Sequence, residues 1–137
     1  MKRKIGLDIG DVRIGVAVSD LLGMIANARE TYTRKSLNAD IKYFCDLAKA
    51  EDADEFVLGL PINMDGTMGE RVEKTKAFGE LLEKESGIKV SYQDERLTTV
   101  SAERVLIEAD MRRDKRKKVI DKVAACFILQ AYLDKKV

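Results

Sequence analysis

Three acidic residues could do chemistry together: Asp8, Glu95 and Asp121. Asp8 interrupts the alternation of Ile5, Leu7 and Ile9, the two-residue period of a strand. A carboxylate there is costly to bury unless it is hydrogen-bonded or bound to a cation. Gly10 lets the backbone turn tightly beside Asp8 and leaves room for a phosphate or a metal. Read alone, Asp8 is equally a hydrogen-bonded or surface-facing strand residue. Glu95 lies in Asp94-Glu95-Arg96 at the close of a later strand, and α/β sheets bind ligands at the carboxyl ends of parallel strands. Glu95 would stand near Asp8 if their strands are neighbours. Read alone, these three are charged residues of a strand-to-helix loop, followed by Thr98 and Thr99 as helix caps. Asp121 shares a helical face with Ala124, Ala125, Ile128 and Tyr132, at about 100° per residue. That face is apolar, and its two alanines leave space beside the carboxylate. The competing reading is a dipole role in the helix's first turn.

Three carboxylates converging at one sheet edge would repel, and without a cation at least one would tend to stay protonated. A divalent metal resolves this, and ligands that are all oxygen favour magnesium or manganese over zinc. Two such ions about 4 Å apart can activate water and stabilise the leaving oxygen of a phosphodiester. The chain has no histidine. That excludes Ser-His-Asp chemistry, histidine-ligated zinc and a histidine general base. Asp8, Glu95 and Asp121 are the candidate catalytic, metal-holding carboxylates of a phosphodiester hydrolase.

Basic residues fit the same chemistry. Arg112-Arg113-Asp114-Lys115-Arg116-Lys117-Lys118 just precedes the helix of Asp121. As a loop it could simply be solvated. Cations just before a helix N-terminus are locally unfavourable, however, and contact with a nucleic-acid backbone gives them a purpose. Arg13 and Arg96, each close to a candidate carboxylate, could hold phosphate or pair with acids.

The elements that must position these residues follow from periodicity. Strands are expected at Ile5–Ile9, Ile14–Val18 and Met24–Tyr32, joined by short turns into an antiparallel meander. Leu37, Ile41, Phe44, Cys45 and Ala48 then take helical spacing, with Ser36 as N-cap. Phe56–Leu60, ended by Pro61, suits a strand buried on both faces. Thr67-Met68-Gly69-Glu70 fits a capping box for a helix to about Glu85, with Gly87 at its C′ position. A strand from Ile88 to Tyr92 follows, then a helix from about Thr99 to Ala109, a charged link, and a last helix from about Val119 to Leu133. This order predicts an α/β fold: a mixed five-stranded sheet, three antiparallel strands then two parallel, with helices on both faces.

At 137 residues the chain reads as one domain over 1–137, with no repeat, linker or boundary. Cys45 and Cys126 are expected to be reduced thiols in apolar surroundings. No apolar run approaches a membrane span and the start lacks a signal-peptide core, which places the protein in the cytoplasm with no membrane partner. The net charge of +1 hides an asymmetry. Residues 111–137 carry nine Lys/Arg against three Asp/Glu, leaving 16 basic and 21 acidic residues in the rest. A basic end on an acidic body points to a polyanionic partner on one side.

Four stretches in order resemble the YqgF/RuvX family and span nearly the whole chain: Gly6-Leu7-Asp8-Ile9-Gly10-Asp11-Val12-Arg13-Ile14-Gly15-Val16-Ala17-Val18-Ser19-Asp20, Val57-Leu58-Gly59-Leu60-Pro61-Ile62-Asn63-Met64-Asp65-Gly66, Asp94-Glu95-Arg96-Leu97-Thr98-Thr99 and Asp121-Lys122-Val123-Ala124-Ala125. The resemblance implies an RNase H-like fold, with Asp8, Glu95 and Asp121 as first, second and third metal ligands. It implies a nuclease that processes the 5′ end of the 16S ribosomal RNA precursor, with structured RNA as its partner. The alternative in the same chemistry is a Holliday junction resolvase acting on branched DNA. Resolution needs two active sites and so a stable dimer, whereas the ribonuclease is expected as a monomer or weak homodimer. An ATP-binding module is a different class: Asp-x-Gly on a first strand also resembles the phosphate loop of the actin and sugar-kinase superfamily, which uses two such domains. A non-catalytic nucleic-acid-binding protein is the third.

Overall fold

The computed structural model describes residues 2–61, 69–94 and 113–135, with the backbone alone for 113–118. Alternating apolar side chains give β1 (Arg3–Ile9) and β2 (Arg13–Ser19), followed by β3 (Ala26–Thr33). Helix α1 (Leu37–Glu51) leads to β4 (Ala53–Leu60), α2 (Glu70–Ser86) to β5 (Lys89–Asp94), and α3 (Arg113–Lys135) comes last. The strand order is β3-β2-β1-β4-β5. Within it β1, β2 and β3 pair antiparallel, β4 runs parallel to β1, and β5 runs parallel to β4. The mixed sheet with helices on both faces is the architecture expected from the sequence.

Strand parity sorts the core into two layers. Ile5, Leu7, Ile14, Val16, Phe56 and Leu58 face α1 and α2, where they meet Phe44, Phe78 and Leu82. On the opposite face Ala17 and Val57 meet Ala125, Ile128, Leu129 and Leu133 of α3. Phe56, Val57 and Leu58 are successive and fully buried, as a strand covered on both sides requires.

Helix ends follow local chemistry. The Ser36 side chain accepts the Ala39 N–H at 3.2 Å and caps α1. The capping box expected for α2 is not formed: its N-cap is Gly69, which makes no side-chain bond, and Thr67 lies outside the described residues. Gly87 does close α2, with φ of 70° and its N–H donating to the Glu83 carbonyl at 2.9 Å.

The last helix departs from expectation. It begins at Arg113, so Arg113, Lys115, Arg116, Lys117 and Lys118 are helical and not a loop. Lysine and arginine are good helix formers, and a run of them offers no apolar period to register. Arg112 and the helix expected at 99–109 lie outside the described residues. The far half of α3 is tied to the sheet by polar contacts. Tyr132 donates to the buried Glu55 carboxylate at 2.6 Å, and Gln130 bonds the Ala26 N–H and the Met24 carbonyl, each at 2.9 Å. Cys45 and Cys126 are free, half-buried thiols that burial pushes up in pKa. Among the described residues no helix is long and apolar enough to cross a membrane.

Candidate active site

Asp8 sits near the carboxyl end of the central strand β1, with Gly15 of β2 as its cross-strand partner. Directly opposed residues of an antiparallel pair project to the same face. A Cβ on Gly15 would lie 1.8 Å from the Asp121 carbonyl oxygen and 2.9 Å from the Lys122 nitrogen. Gly15 thus admits the backbone of α3 at Asp121 itself, and Gly6 admits the helix again at Leu129 and Ala125. Asp8 lies between these two points of approach, on the face that α3 covers. The register of one hairpin and the absence of one side chain bring residues 8 and 121 to a common place.

Asp121 is 8 residues past the start of α3, a little over two turns inside the helix. The first-turn dipole role is therefore excluded. The apolar face expected around it is real: Ala124, Ala125 and Ile128 are at most 1% exposed. Arg13, the first residue of β2, donates from Nε to Asp121 Oδ2 at 2.8 Å, with the Asp121 side chain 21% exposed. Arg13 is one of the arginines read as holding phosphate or pairing with an acid, and here it does pair.

Glu95 and Arg96 follow the last residue of β5 and lie outside the described residues. The strands of Asp8 and Asp94 are not neighbours, because β4 stands between β1 and β5. Among the described residues no three carboxylate or cysteine groups gather to hold a metal. Next to Asp94, Gln93 is 7% exposed, and its Oε1 has no hydrogen-bond partner among the described residues. It pairs with Gly59 on β4 and shares parity with Ser91 and Glu55, on the α3 face.

Sequence reasoning missed the brace under the β1–β2 turn. Asp40 of α1 is 1% exposed and accepts from Tyr32 OH at 2.8 Å, Arg34 Nε at 2.9 Å and the Lys35 N–H at 3.0 Å. Burial alone would raise the Asp40 pKa, but these donors outweigh it and hold it below the ordinary value. Burial, then the hydrogen bond to Asp40, push Tyr32 up to about 12. Arg34 continues the chain, donating from Nη1 to the Gly10 carbonyl at 2.9 Å while its N–H bonds the Val12 carbonyl. The turn that separates Asp8 from Arg13 is thereby fixed to the start of α1. The only cue in the sequence is an arginine two residues before an N-cap serine, with an aspartate in the helix's first turn.

The sequence matches the family described as RuvX, Holliday junction resolvase, over residues 2–135. A relative from Heliobacterium modesticaldum is 51% identical over 134 residues, covering 98% of this chain and 90% of its own. One from Clostridioides difficile is 51% identical over 135 residues, covering 98% and 96%. Both bear the provisional name pre-16S rRNA nuclease.

The chain belongs to the RuvX family.

Two solved structures share the RuvX chain's fold. Thermus thermophilus RuvC in complex with a Holliday junction substrate superposes with a TM-score of 0.63 at 11% identity, covering 99% of this chain and 96% of its own. Fowlpox virus resolvase with Holliday junction DNA gives 0.62 at 14%, covering 98% and 99%. At such identities these likenesses establish the RNase H-like fold. Membership of RuvX makes the protein a nuclease, a hydrolase of phosphodiester bonds.

Proposed function

We propose that this nuclease cleaves the precursor of 16S ribosomal RNA at its 5′ end, and that Asp8, Glu95 and Asp121 hold the magnesium or manganese it needs. The observation that carries the reading is the approach of α3 onto Gly15, which puts Asp121 on the face occupied by Asp8. The donor set fits a hard divalent cation: the described members are carboxylates, and the chain contains no histidine to divert the site toward zinc. Bound there, the metal supplies Lewis acidity toward the phosphoryl group and an activated water. The protein's own residues do the rest. Asp8 and Asp121 present oxygens from a strand and a helix held rigidly by packing, so their spacing is set before substrate arrives. Arg13 orients Asp121 and is placed to donate to a phosphate oxygen. Arg96 follows the candidate ligand Glu95 in sequence and takes a like role.

The start of α3 contributes RNA affinity. Arg112 comes just before the described residues in sequence, and Arg113, Lys115, Arg116, Lys117 and Lys118 fill the first two described turns of α3 ahead of Asp121. Cations there oppose the helix dipole, a local cost that phosphate contact offsets. The protein acts in the cytoplasm as a monomer or weak homodimer, without a membrane partner. The test is cleavage of a 16S precursor transcript and of a four-way DNA junction, side by side, with magnesium or manganese. The transcript is expected to be cut and Asp8→Asn to abolish cutting. Cleavage of the junction alone, by a stable dimer, would instead establish resolvase activity.

A further inference from the structure

The β1–β2 turn has a second side. Opposite the face of Asp8 and Asp121, a cleft of about 640 Å³ opens between this turn, the start of α1 and the first turns of α2. Its floor is built by the Asp40 brace: Arg34 is held by Asp40 and Gly10, and its guanidinium carbon lies 5.4 Å from the centre of the buried Phe78 ring. Because Asp40 neutralises Arg34, the charge of the cleft is decided at its rim. There, among the described residues, Lys35, Arg71 and Lys74 stand with one carboxylate, Asp11. Lys74 also touches Glu70 at 3.7 Å, an exposed pair that holds neither residue firmly. Two exposed apolar side chains, Val12 and Leu37, also line the cleft.

Val12 links this cleft to the opposite face. It is 62% exposed at the tip of the turn, and it also lines a groove of about 520 Å³ with Arg13, Thr31, Val119 and Lys122. Arg13 of that groove is the partner of Asp121. One braced turn thus divides two basic depressions, one beside the candidate metal ligands and one behind them. A polyanion crossing the turn would meet cations on both sides and apolar surface at the crest. The continuity of that surface with the candidate cutting face, through Val12 and Arg13, favours the nuclease's own polyanionic substrate as the occupant.

We propose that the cleft of Lys35, Arg71 and Lys74 is a second RNA contact, which holds the backbone of the strand flanking the cleaved segment. This rests on the reading of Asp8 and Asp121 as the cutting face. Binding is therefore measured on the inert Asp8→Asn protein, by anisotropy of a labelled RNA hairpin with a single-stranded flank and of the same hairpin without it. The combined Lys35→Gln, Arg71→Gln and Lys74→Gln variant should bind the flanked hairpin at least tenfold more weakly. Its slope of log affinity against log salt should shrink by about 2, since each lost phosphate contact removes about 0.7 to 0.9. The blunt hairpin should bind both proteins alike. A control removing three charges elsewhere, Lys42→Gln, Lys49→Gln and Lys84→Gln, should change neither quantity. Equal losses in both triple variants, or an unchanged slope in the cleft variant, would overturn the proposal. Cleavage by the Asp8→Asn protein would instead overturn the assignment of the cutting face, leaving the binding result to stand by itself.

Discussion

Replacing Gly15 with alanine tests the geometry on which the proposed active site depends. The added Cβ would lie 1.8 Å from the Asp121 carbonyl oxygen and 2.2 Å from its carbon. Ordinary contact begins near 3.4 Å, so α3 must withdraw from β2 by about 1.6 Å, the difference of the two distances. The obstacle is helix backbone, which cannot rotate aside as a side chain does. Overpacking costs about 1 to 3 kcal/mol, and this rigid case belongs near 3. For a chain of this size that lowers Tm by about 10 °C. The withdrawal also carries Asp121 away from Asp8, and a misplacement of about 1 Å can cost on the order of a hundredfold in rate. Denaturant and thermal melts, with cleavage measured well below the new Tm, read both effects. Gly6→Ala is the internal control. There the nearest atom is Leu129 Cβ at 2.7 Å, two turns beyond Asp121, and a loss of about 1 kcal/mol with activity largely kept is expected. Stability within about 0.5 kcal/mol of wild type and unaltered cleavage by Gly15→Ala would refute the close approach of α3 to β2.

Asp8→Asn should abolish cleavage and raise the melting temperature in chelator, because it relieves carboxylate repulsion. The gain should be modest, since Arg13 already neutralises Asp121, and clear destabilisation in chelator would defeat the repulsion argument. Neutralising Lys115, Arg116, Lys117 and Lys118 to glutamine should weaken RNA binding and flatten its salt dependence. Because these residues occupy the positive end of α3, the same variant should melt at least as high as wild type; unchanged binding with lowered stability would contradict the assignment. The lowered pKa of Asp40 makes its contribution to stability full above the ordinary value of 3.8 and lost as pH falls through the lower folded value. Asp40→Ala should therefore cost about 3 kcal/mol at pH 7 and remove that part of the acid sensitivity, visible as a flatter profile of stability between pH 5 and about pH 2.

The readable parts of this fold were those with a repeating physical cause. Ile5, Leu7 and Ile9 alternate because one face of β1 is core, and Ser36 announces α1 because its hydroxyl accepts a helix N–H. The face of Asp121 was legible for the same reason, as three-dimensional neighbours recur at helical spacing. The start of α3 was not, since Arg113 to Lys118 carry helix propensity without an apolar period. The spacing of the candidate ligands was also hidden: nothing local in β1 or β5 says that β4 inserts between them. Gly15 stands inside a strand, where a glycine marks a close approach. What approaches, the carbonyl of a residue 106 positions later, is a property of the whole chain.

The position of α3 late in the described element order has a consequence during synthesis. Asp8 is in the first described strand and Asp121 in the last described helix. Until α3 emerges and settles over Gly6 and Gly15, a nascent chain has its sheet and its rear cleft but only part of its acid set. On the proposed reading, such a chain would hold its substrate-contacting cleft before its cutting centre is complete, and the settling of α3 over Gly15 would be the arming step.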